Sequence, residues 1–378
     1  MFNFDTAPDR NHTGSLKWDK YKGRDIIPLW VADMDFVSPP AVLDALRSRL
    51  EHGVFGYTIP YDEVVGEILN YLKTRHGVVA EGDWLVWTPG LVPALNIACR
   101  ATGNPGSGVI INTPVYPPFL SAPIFSDRKR ISVLLTNSDG RWDIDWPAME
   151  EAAQNAKLFV LCHPHNPVGR IWSRDELERI VDFCERHDLT LVSDEIHCDL
   201  ILEDKQHMAT LSLGERAANR TIAMYSPSKT YNLPGLACSF AVIPNEDLRH
   251  AFKRTARGVI TEINAFGYAG CAAAYKHGEP WRKELIAYLR ENRDIVFKFV
   301  RDQLPGIVMH PMEATYLAWL DVRELNLDHP VTFFENAGVG LSNGVDFGTP
   351  GFLRLNFGCP RDRLLEGLVR MKRAIEQR

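Results

Sequence analysis

One lysine stands in unusual company. Lys229 lies in "SPSKTYNLPG" (226–235), between two serines and a tyrosine, with no acid within four residues on either side. Lysines kept for solubility usually sit on polar helix faces among carboxylates. This one follows an apolar run, Thr221 to Tyr225, and precedes a Pro-Gly turn. An amine so placed is a candidate reagent, able to condense with a carbonyl and later to move a proton.

Other polar residues follow apolar runs in the same way. After "GVIIN" (108–112) comes "TPVYPPF", offering Tyr116, and after "LFVLC" (158–162) comes "HPHNPVG", offering His163, His165 and Asn166. After "LTLVS" (189–193) comes "DEIH", offering Asp194 and His197; after "TIAMY" (221–225) come Ser226, Ser228, Lys229 and Tyr231. An aspartate directly after a buried strand is costly to ionise without a cationic partner. Upstream, "WTPGLVPALNIACR" reads as a turn through Gly90 feeding a helix from Leu91 and Val92, whose N-terminal N–H groups suit a phosphate. The hydroxyls of Ser226 and Ser228 would add donors to the same anion. Arg354, alone in the apolar stretch "GFLRLNFGCPR", suits bidentate capture of a carboxylate. An aromatic plate, an aspartate, phosphate donors, a lysine and a carboxylate-binding arginine together describe pyridoxal phosphate chemistry.

These residues converge only if the runs are neighbouring strands. The runs, with a fifth at "SFAVI" (239–243), alternate with helical patterns. Between the second and third, Ser173 and Glu176 form a capping box, and Leu177, Ile180, Val181 and Cys184 recur at helical spacing. Such repetition predicts a mostly parallel sheet covered on both faces, whose ligands lie beyond the carboxyl ends of its strands. The fold class is therefore α/β. A large domain over 50–280 is expected, with a smaller α+β domain built from 281–378 and the N-terminal segment 1–49. In that part the spacing predicts a long helix ending at Pro305-Gly306 and a final helix over about 361–377.

The chain has 378 residues, 45% hydrophobic and 24% charged, with a formal net charge of −6. That balance fits a soluble protein and gives no reason to expect nucleic acid or an anionic membrane as partner. Seven scattered cysteines without a CxxC pair suggest reduced thiols in a cytoplasm. The start lacks a basic and apolar leader, and no run approaches 18 apolar residues, so a cytoplasmic protein is expected.

The motifs together resemble the fold-type I pyridoxal phosphate enzymes of aminotransferase class I/II. Within them, "PLWVADMDF" (28–36), "DEIH" and "RLNFGCPR" resemble the cystathionine β-lyase (C–S lyase) branch of MalY/PatB type. The resemblance runs over nearly the whole chain, in the family's order. It implies pyridoxal 5′-phosphate as cofactor, with Lys229 as the catalytic lysine that carries it as a Schiff base. Asp194 would face the pyridine nitrogen, Asn166 the ring 3′-oxygen and Tyr116 the ring plane. Gly90, Leu91, Val92, Ser226 and Ser228 would hold the phosphate, joined by Tyr57 from the other subunit of a homodimer. Arg354 would take the substrate carboxylate. Where the wider family commonly has tyrosine three residues after the aspartate, this chain has His197, grouped with the cofactor-binding residues. Eight residues after the lysine, where many members carry a phosphate-binding arginine, it has Ala237. Both departures fit the lyase branch, and the implied activity is α,β-elimination on a sulfur amino acid such as L-cystathionine. An aminotransferase on the same scaffold is the alternative.

Competing patterns lack their companions. "SPSK" matches the S-x-x-K of penicillin-binding proteins, but "SDE" precedes the lysine and no K-T-G occurs. "GNPGSG" (103–108) is spaced wrongly for a dinucleotide fingerprint. His163 and His165 have no third ligand at suitable spacing, so no metal is expected.

Overall fold

The computed structural model describes residues 2–138 and 140–378. Seven strands form the central sheet: β1 (Leu85–Thr88), β2 (Gly108–Thr113), β3 (Lys129–Leu134), β4 (Ala156–Cys162), β5 (Thr190–Asp194), β6 (Thr221–Tyr225) and β7 (Ser239–Val242). Their spatial order is β1-β7-β6-β5-β4-β2-β3. The neighbours from β6 to β3 pair in parallel, and β7 runs antiparallel to both β6 and β1. All five apolar runs are strands. β3 escaped the hydrophobic pattern because it is an edge strand, opening with exposed Lys129 and Arg130, the usual guard against edge pairing.

The inner strands carry no alternation because both faces are covered. On one face Ile110, Phe159 and Leu161 meet Leu177, Ile180 and Val181 of the helix Arg174–Arg186, which begins with the Ser173–Glu176 capping box. On the other, Val109, Val160, Val192 and Ile222 meet Leu91, Leu95 and Ala98 of the helix α1 (Leu91–Ala101). Cys162 of β4 pairs with Asp194 of β5, and Asp194 with Met224 of β6. The segments that follow these strands therefore emerge side by side.

The C-terminal part builds a separate four-stranded antiparallel sheet containing β8 (Leu317–Asp321) and β9 (Phe352–Asn356). It packs with the helices α2 (Glu279–Gln303) and α3 (Arg361–Glu376). Phe4, Leu29, Met34 and Phe36 belong to the same apolar core as Leu285, Leu289, Leu355 and Leu368. Ile27–Pro28 pairs in parallel with Val339–Gly340, joining the first residues to the last hundred.

A charge knot fixes the stretch that follows. The buried Asp35 carboxylate accepts from Arg10 (2.8 Å), Trp18 Nε1 (3.0 Å) and Arg363 (2.9 Å), with the fully buried Lys17 ammonium at 3.2 Å. Burial opposes the charge of Asp35, but Lys17, Arg363 and Arg10 prevail and hold its carboxyl below the usual range. Residues 30–34 are thereby held as a strap between the two sheets.

Candidate active site

A cavity of about 280 Å³ opens beyond the carboxyl ends of β4, β5 and β6. Its wall contains Gly90, Leu91, Val92, Tyr116, Asn166, Asp194, His197, Ser226, Ser228 and Lys229. These come from five separate segments and meet because the parallel strands end in register.

Lys229 follows β6 by four residues and forms no ion pair among the described residues. Its Nζ donates to the Ala32 carbonyl at 2.6 Å. Burial pushes its pKa down to about 8, assisted by Arg354 and opposed by Asp33 and Asp194. Near neutral pH a usable fraction of such an amine is unprotonated.

Asp194 ends β5. One carboxylate oxygen accepts from the Ile196 N–H at 3.1 Å, and among the described residues no cation is bonded to it. Burial raises its pKa to about 7 despite that N–H and Lys229. A carboxyl group held this way awaits a cationic or N–H-bearing ligand. His197, three residues on, is 3% exposed, and burial with the nearby Lys229 and Arg354 charges lowers its pKa to about 3. It is a neutral imidazole, and its Nδ1 has no hydrogen-bond partner.

Arg354, in the middle of β9, is 4% exposed and has no carboxylate partner among the described residues. It donates to Asn166 Oδ1 (3.2 Å), the Trp30 carbonyl (3.0 Å) and Ser342 Oγ (3.4 Å), and its guanidinium lies 4.7 Å from the Phe347 ring centroid. Its Nε is buried without a partner, and burial lowers its pKa to about 10. A desolvated guanidinium with a free donor is prepared for an anion.

Among the described residues the opposite end has donors but no cation. The helix α1 has no side-chain cap, so its first N–H groups remain free for a ligand. Gly90 precedes it at φ 148°, a conformation L-residues rarely adopt, which explains the glycine. Ser226 Oγ donates to the Cys238 carbonyl (2.8 Å) and lies 2.9 Å from Ser228 Oγ, placing both hydroxyls together. Ala237 lines the same wall.

Two histidines from the same motifs serve elsewhere. His163 Nε2 donates to the Met208 carbonyl (2.9 Å) and His165 Nε2 to the Pro114 carbonyl (2.8 Å), which holds the loop after β4. His76, Cys198 and Asp199 form a separate buried group, all bonded to the hydroxyl of Tyr71 (2.8, 3.3 and 2.7 Å). Tyr57 lies outside the cavity, fully exposed beside the exposed apolar residues Val54, Phe55 and Ile59.

Sequence reasoning missed the strap. "PLWVADMDF" served to recognise a family branch, with no role for its backbone. Yet Ala32 lines the cavity and its carbonyl accepts from both Lys229 and the Tyr316 hydroxyl. Tyr316, one residue before β8, looks in sequence like an ordinary core aromatic.

The sequence profile of the "Aminotransferase class I and II" family matches residues 24–371. The chain is 37% identical to cystathionine beta-lyase PatB of Bacillus subtilis, over 99% of this chain and 100% of the relative. Among solved structures, OvoB superposes with a TM-score of 0.96 at 44% identity, covering 99% of each chain. Cystalysin from Treponema denticola, described as containing a pyridoxal 5′-phosphate cofactor, superposes with a TM-score of 0.96 at 36% identity, over 100% of this chain and 99% of that one. The arrangement of sheet, strap and cavity is thus the fold-type I architecture, and the chain belongs to the aminotransferase class I and II family.

Proposed function

We propose that this protein is a pyridoxal 5′-phosphate-dependent carbon–sulfur lyase. It would perform α,β-elimination on a sulfur amino acid such as L-cystathionine, giving a thiol, pyruvate and ammonia. The observation that carries the reading is the buried Arg354, without a carboxylate partner among the described residues, bonded to Asn166 of the cavity wall that also holds Lys229 and Asp194. The lyase assignment of PatB supports elimination as the outcome.

The donor set fits the cofactor. Lys229 would supply the amine for its aldehyde, and Asp194 the carboxylate for its ring nitrogen. Asn166 would face the ring oxygen and Tyr116 would cover the ring, with His197 in the same wall as an uncharged group. The amides of Gly90, Leu91 and Val92 at the start of α1 and the hydroxyls of Ser226 and Ser228 would hold the phosphate. When bound, pyridoxal phosphate supplies an electron sink for charge developed at the substrate Cα. The chain's residues direct that chemistry. Arg354 fixes the substrate carboxylate and so orients the Cα–H bond. Lys229, as a neutral amine, removes the Cα proton. The Cβ–S bond then breaks and the thiolate departs with the electron pair.

With Ala237 in place of a cation, the phosphate needs further contacts. The exposed Val54, Phe55, Tyr57 and Ile59 fit a surface covered by a second copy of the chain. In the resulting homodimer Tyr57 of the partner subunit would reach the phosphate. All seven cysteines are free and buried, which supports a cytoplasmic setting. Among the described residues no helix is long and apolar enough to cross a membrane.

The fate of sulfur tests the function. Purified protein with L-cystathionine should release thiol, pyruvate and ammonia in equal amounts. A keto acid retaining the sulfur would show transamination instead.

A further inference from the structure

The strap holds a denser set of contacts than its length suggests. Asn356 Nδ2 donates to the Val31 and Asp33 carbonyls (2.6 and 2.7 Å), while its Oδ1 accepts from the Gly358 N–H (2.8 Å). Asn232, three residues after Lys229, accepts from the Met34 N–H (3.0 Å) and donates to the Met34 and Phe36 carbonyls (2.9 and 2.8 Å). One asparagine comes from β9 and the other from the lysine loop, and they grip the strap on either side of Ala32. The Ala32 carbonyl is left to face the cavity.

That carbonyl has two donors. Lys229 Nζ lies at 2.6 Å and the Tyr316 hydroxyl at 3.0 Å, so both lone pairs of the oxygen are engaged. Tyr316 is 1% exposed, and its ring stands edge-on to His197 at 6.4 Å. Three acceptor carbonyls in a row belong to site or positioning groups: Trp30 to Arg354, Val31 to Asn356 and Ala32 to Lys229.

We infer that Tyr316 is a positioning residue for Lys229, acting through the Ala32 carbonyl. Its hydroxyl occupies one lone pair, which fixes the direction of the other toward the lysine and weakens the oxygen as an acceptor for an ammonium. The inference rests on the role proposed above for Lys229. An ammonium gains more from a carbonyl than a neutral amine does, because the bond is charge-assisted. A strong, uncontested acceptor would therefore keep the lysine protonated and out of use. Sharing that acceptor with Tyr316 shifts the balance toward the neutral amine. The other groups facing Lys229 are Asp33 from the strap and Asp194 from β5, which favour the ammonium, and Arg354 from β9, which disfavours it. His197 is neutral beside them. Tyr316 is the group whose effect on the lysine passes through the bond to Ala32.

Tyr316→Phe removes the hydroxyl and retains the buried ring. The test is the rate at which the cofactor-free protein takes up pyridoxal 5′-phosphate as a function of pH, followed by the visible band of the lysine adduct. Only the neutral amine adds to the aldehyde carbon, and water then leaves. The rate should rise with pH to a plateau, with a midpoint that reports Lys229. In Tyr316→Phe the midpoint should lie higher by about half to one pH unit, the scale of one altered hydrogen bond. Simple loosening of the fold would lower the plateau and leave the midpoint unchanged. A band in both proteins with equal midpoints, or a lower one in the variant, overturns the inference while the cofactor reading stands. No band in either protein overturns both.

Discussion

Arg354 donates to Asn166 Oδ1 at 3.2 Å. An arginine has only donors, so this contact decides which way the asparagine amide faces: its oxygen meets the guanidinium and its NH₂ is left to donate. Among the described residues that NH₂ has no partner. The residue proposed to bind the substrate carboxylate thus orients the residue proposed to face the cofactor ring.

Removing Arg354 should therefore affect substrate binding first. Arg354→Ala should lower kcat/KM about 10- to 150-fold, mostly through KM, the effect of losing one charge-assisted contact. Arg354→Lys should recover part of the loss, since it keeps the charge but not the two-pronged geometry. Steady-state kinetics check this, and an unchanged KM in Arg354→Ala contradicts the role.

Asp194 should behave oppositely. Asp194→Ala should lower kcat by about 10²–10³, the range for losing a charge that acts in the transition state, with KM much less changed. The same kinetic comparison decides, and equal effects on KM for both variants would contradict the division between them.

Acid should destabilise the cofactor-free protein through its buried histidines. Burial lowers the pKa values of His76, His163, His165 and His197 to about 4, 3, 4 and 3. Each folded value lies below the ordinary value of 6.5. Their neutral burial therefore contributes stability that is present above pH 6.5 and lost as pH falls. Asp194, raised to about 7, acts in the opposite sense over its window. Four histidines outweigh one carboxyl. Stability should drop between pH 6.5 and 4 by roughly 1.4 kcal/mol per pH unit for each net proton taken up on unfolding. Thermal melts in that range check the slope, and a Tm that rises toward pH 5 contradicts it.

Subunit mixing tests Tyr57. Tyr57→Ala and Lys229→Ala proteins should each have low activity alone. Exchanged into mixed dimers, they should regain part of it, because one site then combines an intact Lys229 with Tyr57 of the partner subunit. No recovery, despite subunit exchange seen by mass spectrometry, would argue against a shared site.

The cavity wall was legible in the sequence because strand ends concentrate polar residues in a parallel sheet. Tyr116, Asn166, Asp194 and Lys229 each stand just beyond, or at the end of, a run of buried residues. Position along the chain therefore became position in space. The strap was not legible because its part is played by backbone carbonyls, and a carbonyl leaves no mark on residue type. Tyr316 and Asn356 were hidden for a related reason. Each adjoins or lies in a strand of the smaller sheet, where an aromatic or amide looks like packing until its partner is known. Tyr57 is a third case: in one chain it touches nothing in the cavity, and only a resemblance gave it a role.

Elimination and transamination both begin with loss of the Cα proton, here to the lysine proposed as base, and differ in whether a second substrate is needed. Elimination restores the cofactor at every turnover, whereas transamination leaves it aminated until a keto acid takes the nitrogen away. The decisive measurement is pyruvate release from L-cystathionine over many turnovers with no keto acid present. The protein should release pyruvate at a constant rate that an added keto acid does not raise. No pyruvate, with one equivalent per site of a keto acid that retains the sulfur and more of it only when a second keto acid is supplied as acceptor, would show that the protein is an aminotransferase.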